Sequence, residues 1–248
     1  MSSARLRLAG ISAWYGSNQV LADIELTVEP GTVLALMGPP NAGKSTVLKI
    51  ANRLAELDPS FKVDGRVLLD GQDTAEVDPT ALRRQVGMVF ERPTAFPRSV
   101  ADNVAFGLVL AGIGPGERAR RVEQALRKVG LWDEIPDRSV SADSLGAGQR
   151  QLLCIARALA LQPRALLLDE PTRWLHPADA TRVESVVRSL RGQVTVLISA
   201  VDASQAGRVA DTVALLDQGR LVEQGPTGDI FTNPREPATQ AYLSRRFR

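Results

Sequence analysis

The stretch Val33-Leu34-Ala35-Leu36-Met37-Gly38-Pro39-Pro40-Asn41-Ala42-Gly43-Lys44-Ser45 decides the fold. It opens with a continuous apolar run, the pattern of a β-strand covered on both faces. Gly38 to Ser45 then fits G-x-x-x-x-G-K-[ST], and a helical stretch starts near Lys44. Buried strand, glycine-rich turn and helix, in that order, are the context in which such a loop cradles a polyphosphate. Glycines let successive backbone N–H groups turn inward. The helix start adds free donors and positive potential. Lys44 offers a charge to terminal phosphates, and Ser45 offers a hydroxyl to Mg²⁺.

A second apolar run, Leu166-Leu167-Leu168, ends in Asp169-Glu170. Carboxylates at the end of a buried parallel strand sit where α/β sheets bind ligands. Asp169 is placed to hold the magnesium shell, and Glu170 to orient or deprotonate a water. Two solvated acids at a strand end are the plain alternative, which the phosphate loop makes the weaker reading.

Further strands are expected at Arg5 to Leu8, Ile24 to Val28, Arg66 to Leu69, Val86 to Val89, Ala165 to Leu168, Val194 to Ile198, Thr212 to Leu216 and Arg220 to Glu223. Helices are expected over Glu117 to Val129, stopped by Gly130, over Asp179 to Leu190, and from about Pro237. From Pro97 to Leu161 the signals are mostly helical. Strands alternating with helices predict a mostly parallel sheet, and the helix-rich middle predicts an inserted subdomain.

With 248 residues the chain can bury a large core. It is 44% hydrophobic and 23% charged, with a net charge of +2. No dense basic run lies inside it, so a nucleic-acid partner is not expected. The basic tail Arg245-Arg246-Phe247-Arg248 reads as a solvated helix end. The single cysteine, Cys154, excludes an intrachain disulfide and reads as a small buried hydrophobe in a reducing compartment. Met1 to Gly10 alternates apolar and charged residues, unlike a secretory leader. No stretch approaches the ~18–20 apolar residues of a membrane span.

With what lies between them, these motifs resemble the ABC ATPases along nearly the whole chain. Leu145-Gly146-Ala147-Gly148-Gln149, followed by Ile155-Ala156-Arg157-Ala158-Leu159, looks like that family's signature loop and helix, at the right spacing from Asp169-Glu170-Pro171-Thr172. A narrower likeness to the phosphate-import ATPases rests on Leu82 to Phe90, Arg92-Pro93, Phe96-Pro97, Asp102-Asn103-Val104, Leu131 to Glu134 and Ile230 to Pro234. The resemblance implies an α/β P-loop NTPase fold with a mostly parallel sheet, an N-terminal antiparallel β subdomain and an inserted α-helical subdomain. It divides the chain into a nucleotide-binding core (1–90 and 162–248) and a helical subdomain of about 91–161.

It also implies ATP and Mg²⁺ as cofactors. ATP would be bound by Tyr15, Gly38, Pro39, Pro40, Asn41, Ala42, Gly43, Lys44, Ser45, Thr46 and Glu91. Magnesium would be held by Ser45 and Asp169, with Glu170 catalytic. Leu145 to Gln149 would face the ATP of a second ABC ATPase subunit, paired head to tail as a homo- or heterodimer. Membrane permease subunits would dock near residues 91–106, at the cytoplasmic face of the membrane. Tyr15 would stack on the adenine; a strand-end aromatic packed on the core is its other reading.

Several positions depart from the family pattern, all around the γ-phosphate. Glu91 stands in place of a glutamine, Gly146 in place of the signature serine and Ala147 in place of a signature glycine. Gly146 lacks a hydroxyl whose hydrogen bond to a charged group is worth ~1.5–3 kcal/mol. His176 stands in place of an aspartate; it precedes Pro177 and reads as a turn or helix-entry residue. Val201 occupies the switch-histidine position, and losing one preorganised donor costs ~10²–10³ in rate. The expectation is firm nucleotide binding with slow hydrolysis. A structural or regulatory subunit in a heterodimer is the alternative.

Overall fold

The computed structural model describes residues 3–246. Its strands are β1 (Leu6–Tyr15), β2 (Asn18–Val28), β3 (Val33–Met37), β4 (Phe61–Leu69), β5 (Gln72–Asp73), β6 (Val86–Val89), β7 (Ala165–Asp169), β8 (Thr195–Ser199), β9 (Thr212–Asp217) and β10 (Arg220–Pro226). Its α-helices are α1 (Lys44–Ala51), α2 (Pro79–Gln85), α3 (Val100–Leu110), α4 (Pro115–Lys128), α5 (Ala147–Ala160), α6 (Pro177–Ser189), α7 (Ala203–Val209), α8 (Thr227–Thr232) and α9 (Pro237–Arg246). Phe247 and Arg248, the end of the basic tail, lie outside the described residues.

Two sheets form. The first is antiparallel in the order β2-β1-β4-β5, the second runs β10-β9-β3-β8-β7-β6. In the second sheet β3 pairs in parallel with β8 and β9, β8 with β7, and β7 with β6; only β10 pairs antiparallel, on β9. The mostly parallel core and antiparallel N-terminal subdomain expected from the sequence are both present.

The central strands are apolar throughout because both faces are covered. Val33, Ala35 and Met37 of β3 face one core with Leu166, Leu168, Val196 and Ile198. That core continues into α3, α4 and α5 through Val104, Leu126 and Leu153. Leu34 and Leu36, on the opposite pleat, join a second core with Leu167, Leu197, α1 and the antiparallel sheet. The strand period of two thus sends alternate residues of one strand into two different cores.

Strands β1, β2 and β4 run longer than their alternation suggests. Register shifts in the β1–β2 ladder interrupt the apolar alternation beyond Leu8. Three short helices, α2, α7 and α8, had no legible stripe. Helix α4 matches the expected stretch, and Gly130 ends it at φ 77°, a left-handed turn that glycine adopts without strain. Cys154 is buried in α5, as read, and burial pushes its thiol pKa up.

Candidate nucleotide site

The site lies at the carboxyl ends of β3, β8 and β7. The phosphate loop leaves β3 at Gly38, whose φ is 145°. A Cβ there would lie 2.0 Å from the Leu216 carbonyl oxygen, so only glycine fits. Asn41 takes φ 64° and Gly43 φ 103°, and Gly43 then caps α1. The chain therefore curls just before a helix N-terminus, with amide donors free.

Lys44 is buried. Its Nζ donates to the carbonyls of Gly38 (2.9 Å) and Pro39 (3.2 Å) and lies 3.4 Å from Glu170 Oε1. The Ser45 hydroxyl donates to Asp169 Oδ1 at 2.9 Å. Ser199, at the end of β8 between the two, donates to the same oxygen at 2.8 Å and accepts from the Glu170 N–H at 2.8 Å. Glu170 adopts φ 37°, an uncommon backbone conformation for a residue with a side chain. The turn aims its carboxylate back at Lys44.

A cavity of about 520 Å³ opens over this loop. Of the residues expected to bind nucleotide, Pro40, Asn41, Gly43, Lys44, Ser45, Thr46 and Glu91 line it, as does Glu170. Gly38, Pro39 and Ala42 shape the loop from beneath. Tyr15 is not among the lining residues; its ring sits at the end of β1 against Phe61, centroids 5.1 Å apart. Asn18, Val20 and Arg173 also line the cavity and had not been singled out for it. Arg173 could have been suspected from its charge three residues beyond Glu170.

Arg173 ion-pairs with Glu170 and, at 3.3 Å, with Glu91. The Glu170 hydrogen bond raises the guanidinium pKa further above its already high value. Trp174 donates its indole N–H to Glu91 at 2.7 Å.

The signature segment forms the entry to α5, away from this cavity. The Gly146 N–H donates to Gln149 Oε1 at 3.0 Å, and Gln149 donates to Glu134 at 2.8 Å. Gly148 is required because a Cβ would fall 2.3 Å from Asp179 Cγ of α6. His176 caps α6, accepting weakly from the Ala178 N–H through Nδ1 at 3.4 Å. Val201 does not line the cavity; its N–H donates to Gln205 Oε1 at 2.9 Å.

A strand–loop–helix phosphate cradle facing a paired acid motif at the carboxyl end of a parallel sheet defines a P-loop nucleotide-binding domain. The profile of the ABC transporter family matches residues 21–173. The phosphate import ATP-binding protein PstB of Salinibacter ruber is 42% identical over 98% of both chains. That of Pyrobaculum aerophilum is 44% identical over 97% of this chain and 98% of its own. Among solved structures, cbiO1 from Clostridium perfringens, part of the ABC transporter complex cbiONQ, superposes with a TM-score of 0.81 at 26% identity, covering 97% of this chain and 96% of that one. An ATP-bound bacterial Atm1-family ABC exporter superposes at 0.82 and 26% identity over 99% of this chain, which spans 42% of the exporter chain. The chain belongs to the ABC transporter family, among its phosphate import ATP-binding proteins, and its nucleotide is ATP.

Proposed function

We propose that this chain is the ATP-binding and ATP-hydrolysing subunit of an importer for inorganic phosphate. The supporting observation is the placement of Lys44 and Ser45 against Asp169 and Glu170, within a chain aligned along nearly its whole length with phosphate import ATP-binding proteins. Among the described residues no helix is long and apolar enough to cross a membrane. Integral permease subunits therefore supply the pore, with this chain on the cytoplasmic face. We place their docking groove at about residues 91–106, beside exposed Phe90. We divide the chain into a nucleotide-binding core and a helical insert of about 91–161, a reading supported by β6 ending at Val89 and β7 starting at Ala165.

The phosphate-loop amides and Lys44 grip the triphosphate. The donor set suits magnesium: one hydroxyl and one carboxylate oxygen, already in contact, leave the remaining positions to phosphate and water oxygens. When bound there, Mg²⁺ supplies charge neutralisation at the phosphates being separated. Glu170 is the carboxylate placed to orient or deprotonate the attacking water. Each site is completed by the Leu145–Gln149 segment of a second ATPase subunit, identical or not.

Hydrolysis in the isolated chain is slow: Gly146 and Val201 offer no side-chain donor to the γ-phosphate, Ala147 and His176 depart from the family pattern beside them, and Glu91 puts a carboxylate, paired with Arg173, where the pattern has a neutral amide. Lost donors on one site do not sum independently. Lys44→Ala should abolish ATP binding in calorimetry; retained affinity would defeat the P-loop assignment. Turnover of tens per second by the purified chain would defeat the slow-hydrolysis part. Phosphate uptake restored in a deletion strain by this chain, and by no unrelated ATPase subunit, tests the substrate.

A further inference from the structure

The floor of the cavity carries a chain of alternating charges: Lys44, Glu170, Arg173, Glu91. Lys44 Nζ is 3.4 Å from one oxygen of Glu170, whose other oxygen pairs with Arg173. The Arg173 Nε is in turn 3.3 Å from Glu91 Oε1. The same Glu91 oxygen accepts from Trp174, whose ring lies 5.6 Å from the Arg173 guanidinium. Glu91 follows β6, while Glu170 and Arg173 follow β7, so the ends of two neighbouring strands meet on one cation. Glu170 is almost fully buried, and the Arg173–Glu91 pair stands at the rim, each side chain about two-fifths exposed.

The four charges balance as they stand. A polyphosphate in the loop draws on Lys44, and the two carboxylates are then left with Arg173 alone. We propose that Arg173 is a positioning residue that makes this pocket selective for a triphosphate, by holding Glu170 and Glu91 paired so that neither repels the terminal phosphate. The proposal rests on the nucleotide-site reading above. A diphosphate places less charge near these carboxylates than a triphosphate does, so Arg173 matters chiefly for the longer ligand.

The test is direct binding of a non-hydrolysable ATP analogue and of ADP, by calorimetry, to the full chain and its variants. Arg173→Ala should weaken the analogue about tenfold, the usual reach of one rim charge at a partly screened site, and change ADP by less than about twofold. Removing one of the two unpaired acids should partly repair it: Glu91→Gln added to Arg173→Ala should recover part of the lost affinity. Glu91→Gln alone should tighten the analogue, and Arg173→Lys should fall between wild type and Arg173→Ala. Should Arg173→Ala fail to fold, Glu91→Gln and Arg173→Lys carry the same test. Equal losses for both nucleotides, no loss for either, or no recovery in the double variant would overturn the proposal. A wild-type chain that binds neither nucleotide would instead overturn the site itself.

Discussion

Asn103 offers a stability test whose size can be worked from its contacts. It is fully buried in the first turn of α3. Its Oδ1 accepts from the Phe96 N–H at 2.8 Å and from Arg157 at 3.5 Å, and its Nδ2 donates to the carbonyls of Phe96 (3.1 Å), Ser99 (3.0 Å) and Arg98 (3.3 Å). These bonds fold the 91–99 connection, part of the proposed docking groove, back onto the helix. Replacing it by leucine keeps the branched four-atom skeleton, with bulkier ends, and removes every bond. The damage is unequal. The Ser99 and Phe96 carbonyls keep other partners, the N–H groups of Asn103 (3.0 Å) and Arg98 (2.7 Å). The Phe96 N–H loses its acceptor, which costs ~1–3 kcal/mol, and the donated bonds add ~0.5–1.5 kcal/mol together after relaxation. A total of about 3 kcal/mol, at ~2–4 °C per kcal/mol for a chain of this size, lowers Tm by about 6–12 °C. Scanning calorimetry with and without nucleotide measures it. Hydrogen exchange should show the Phe96 amide losing protection first. A shift below about 2 °C with Phe96 still protected would refute the reasoning.

Gly38→Ala should eliminate ATP binding, since its Cβ would strike the Leu216 carbonyl at 2.0 Å. Gly71→Ala, at φ 84° in open space, should cost only ~1 kcal/mol in denaturant melts and leave binding intact. The Cys154 thiol, its pKa raised by burial, should react with a thiol reagent at pH 8 far more slowly in the native chain than after denaturation. Hydrogen bonds from Arg120 and then Arg121 pull the Glu117 carboxyl down to about 2. Its folded value lies below the unfolded one of about 4.5, so its contribution to α4 is whole above the unfolded value and fades as pH falls toward 2. An NMR titration of the Glu117 side chain with a midpoint near 4.5 would contradict this.

The nucleotide cradle was legible because its requirements are local. A strand buried on both faces must be apolar, a loop with inward amides needs glycine at Gly38 and Gly43, and both constraints fall on consecutive residues. The acid pair was legible for the same reason. What stayed hidden depends on contacts distant in sequence. Ser199 bridges Asp169 and the Glu170 N–H because β8 happens to lie between β3 and β7, an order no strand pattern announces. The Tyr242 hydroxyl accepts from the Gly38 N–H at 3.2 Å across 204 residues, so α9 braces the start of the phosphate loop. Trp174 meets Glu91 across 83 residues. Tyr15 illustrates the opposite case: a strand-end aromatic was legible, and its packing on Phe61 is the contact the structure supplies.

The departures around the γ-phosphate do not weaken the scaffold that carries them. His176 caps α6, Gly146 enters α5 with its N–H held by Gln149, and the Val201 N–H is held by Gln205. Each position still satisfies its local backbone; what Gly146 and Val201 lack is a side-chain donor to a ligand. Stability and catalysis are therefore separable here, because a missing donor facing solvent costs the folded chain nothing. Restoring donors one at a time, as in Val201→His or Gly146→Ser, should raise turnover without moving Tm by more than a degree or two. In the proposed head-to-tail pair the two donors would act on opposite sites, Val201→His on the chain's own nucleotide and Gly146→Ser on its partner's. Mixing single variants with wild type then distinguishes a homodimer from a lone subunit, since only Gly146→Ser can accelerate hydrolysis at a phosphate loop it does not share. Acceleration by Gly146→Ser that is independent of protein concentration, down to where the dimer dissociates, would refute that geometry.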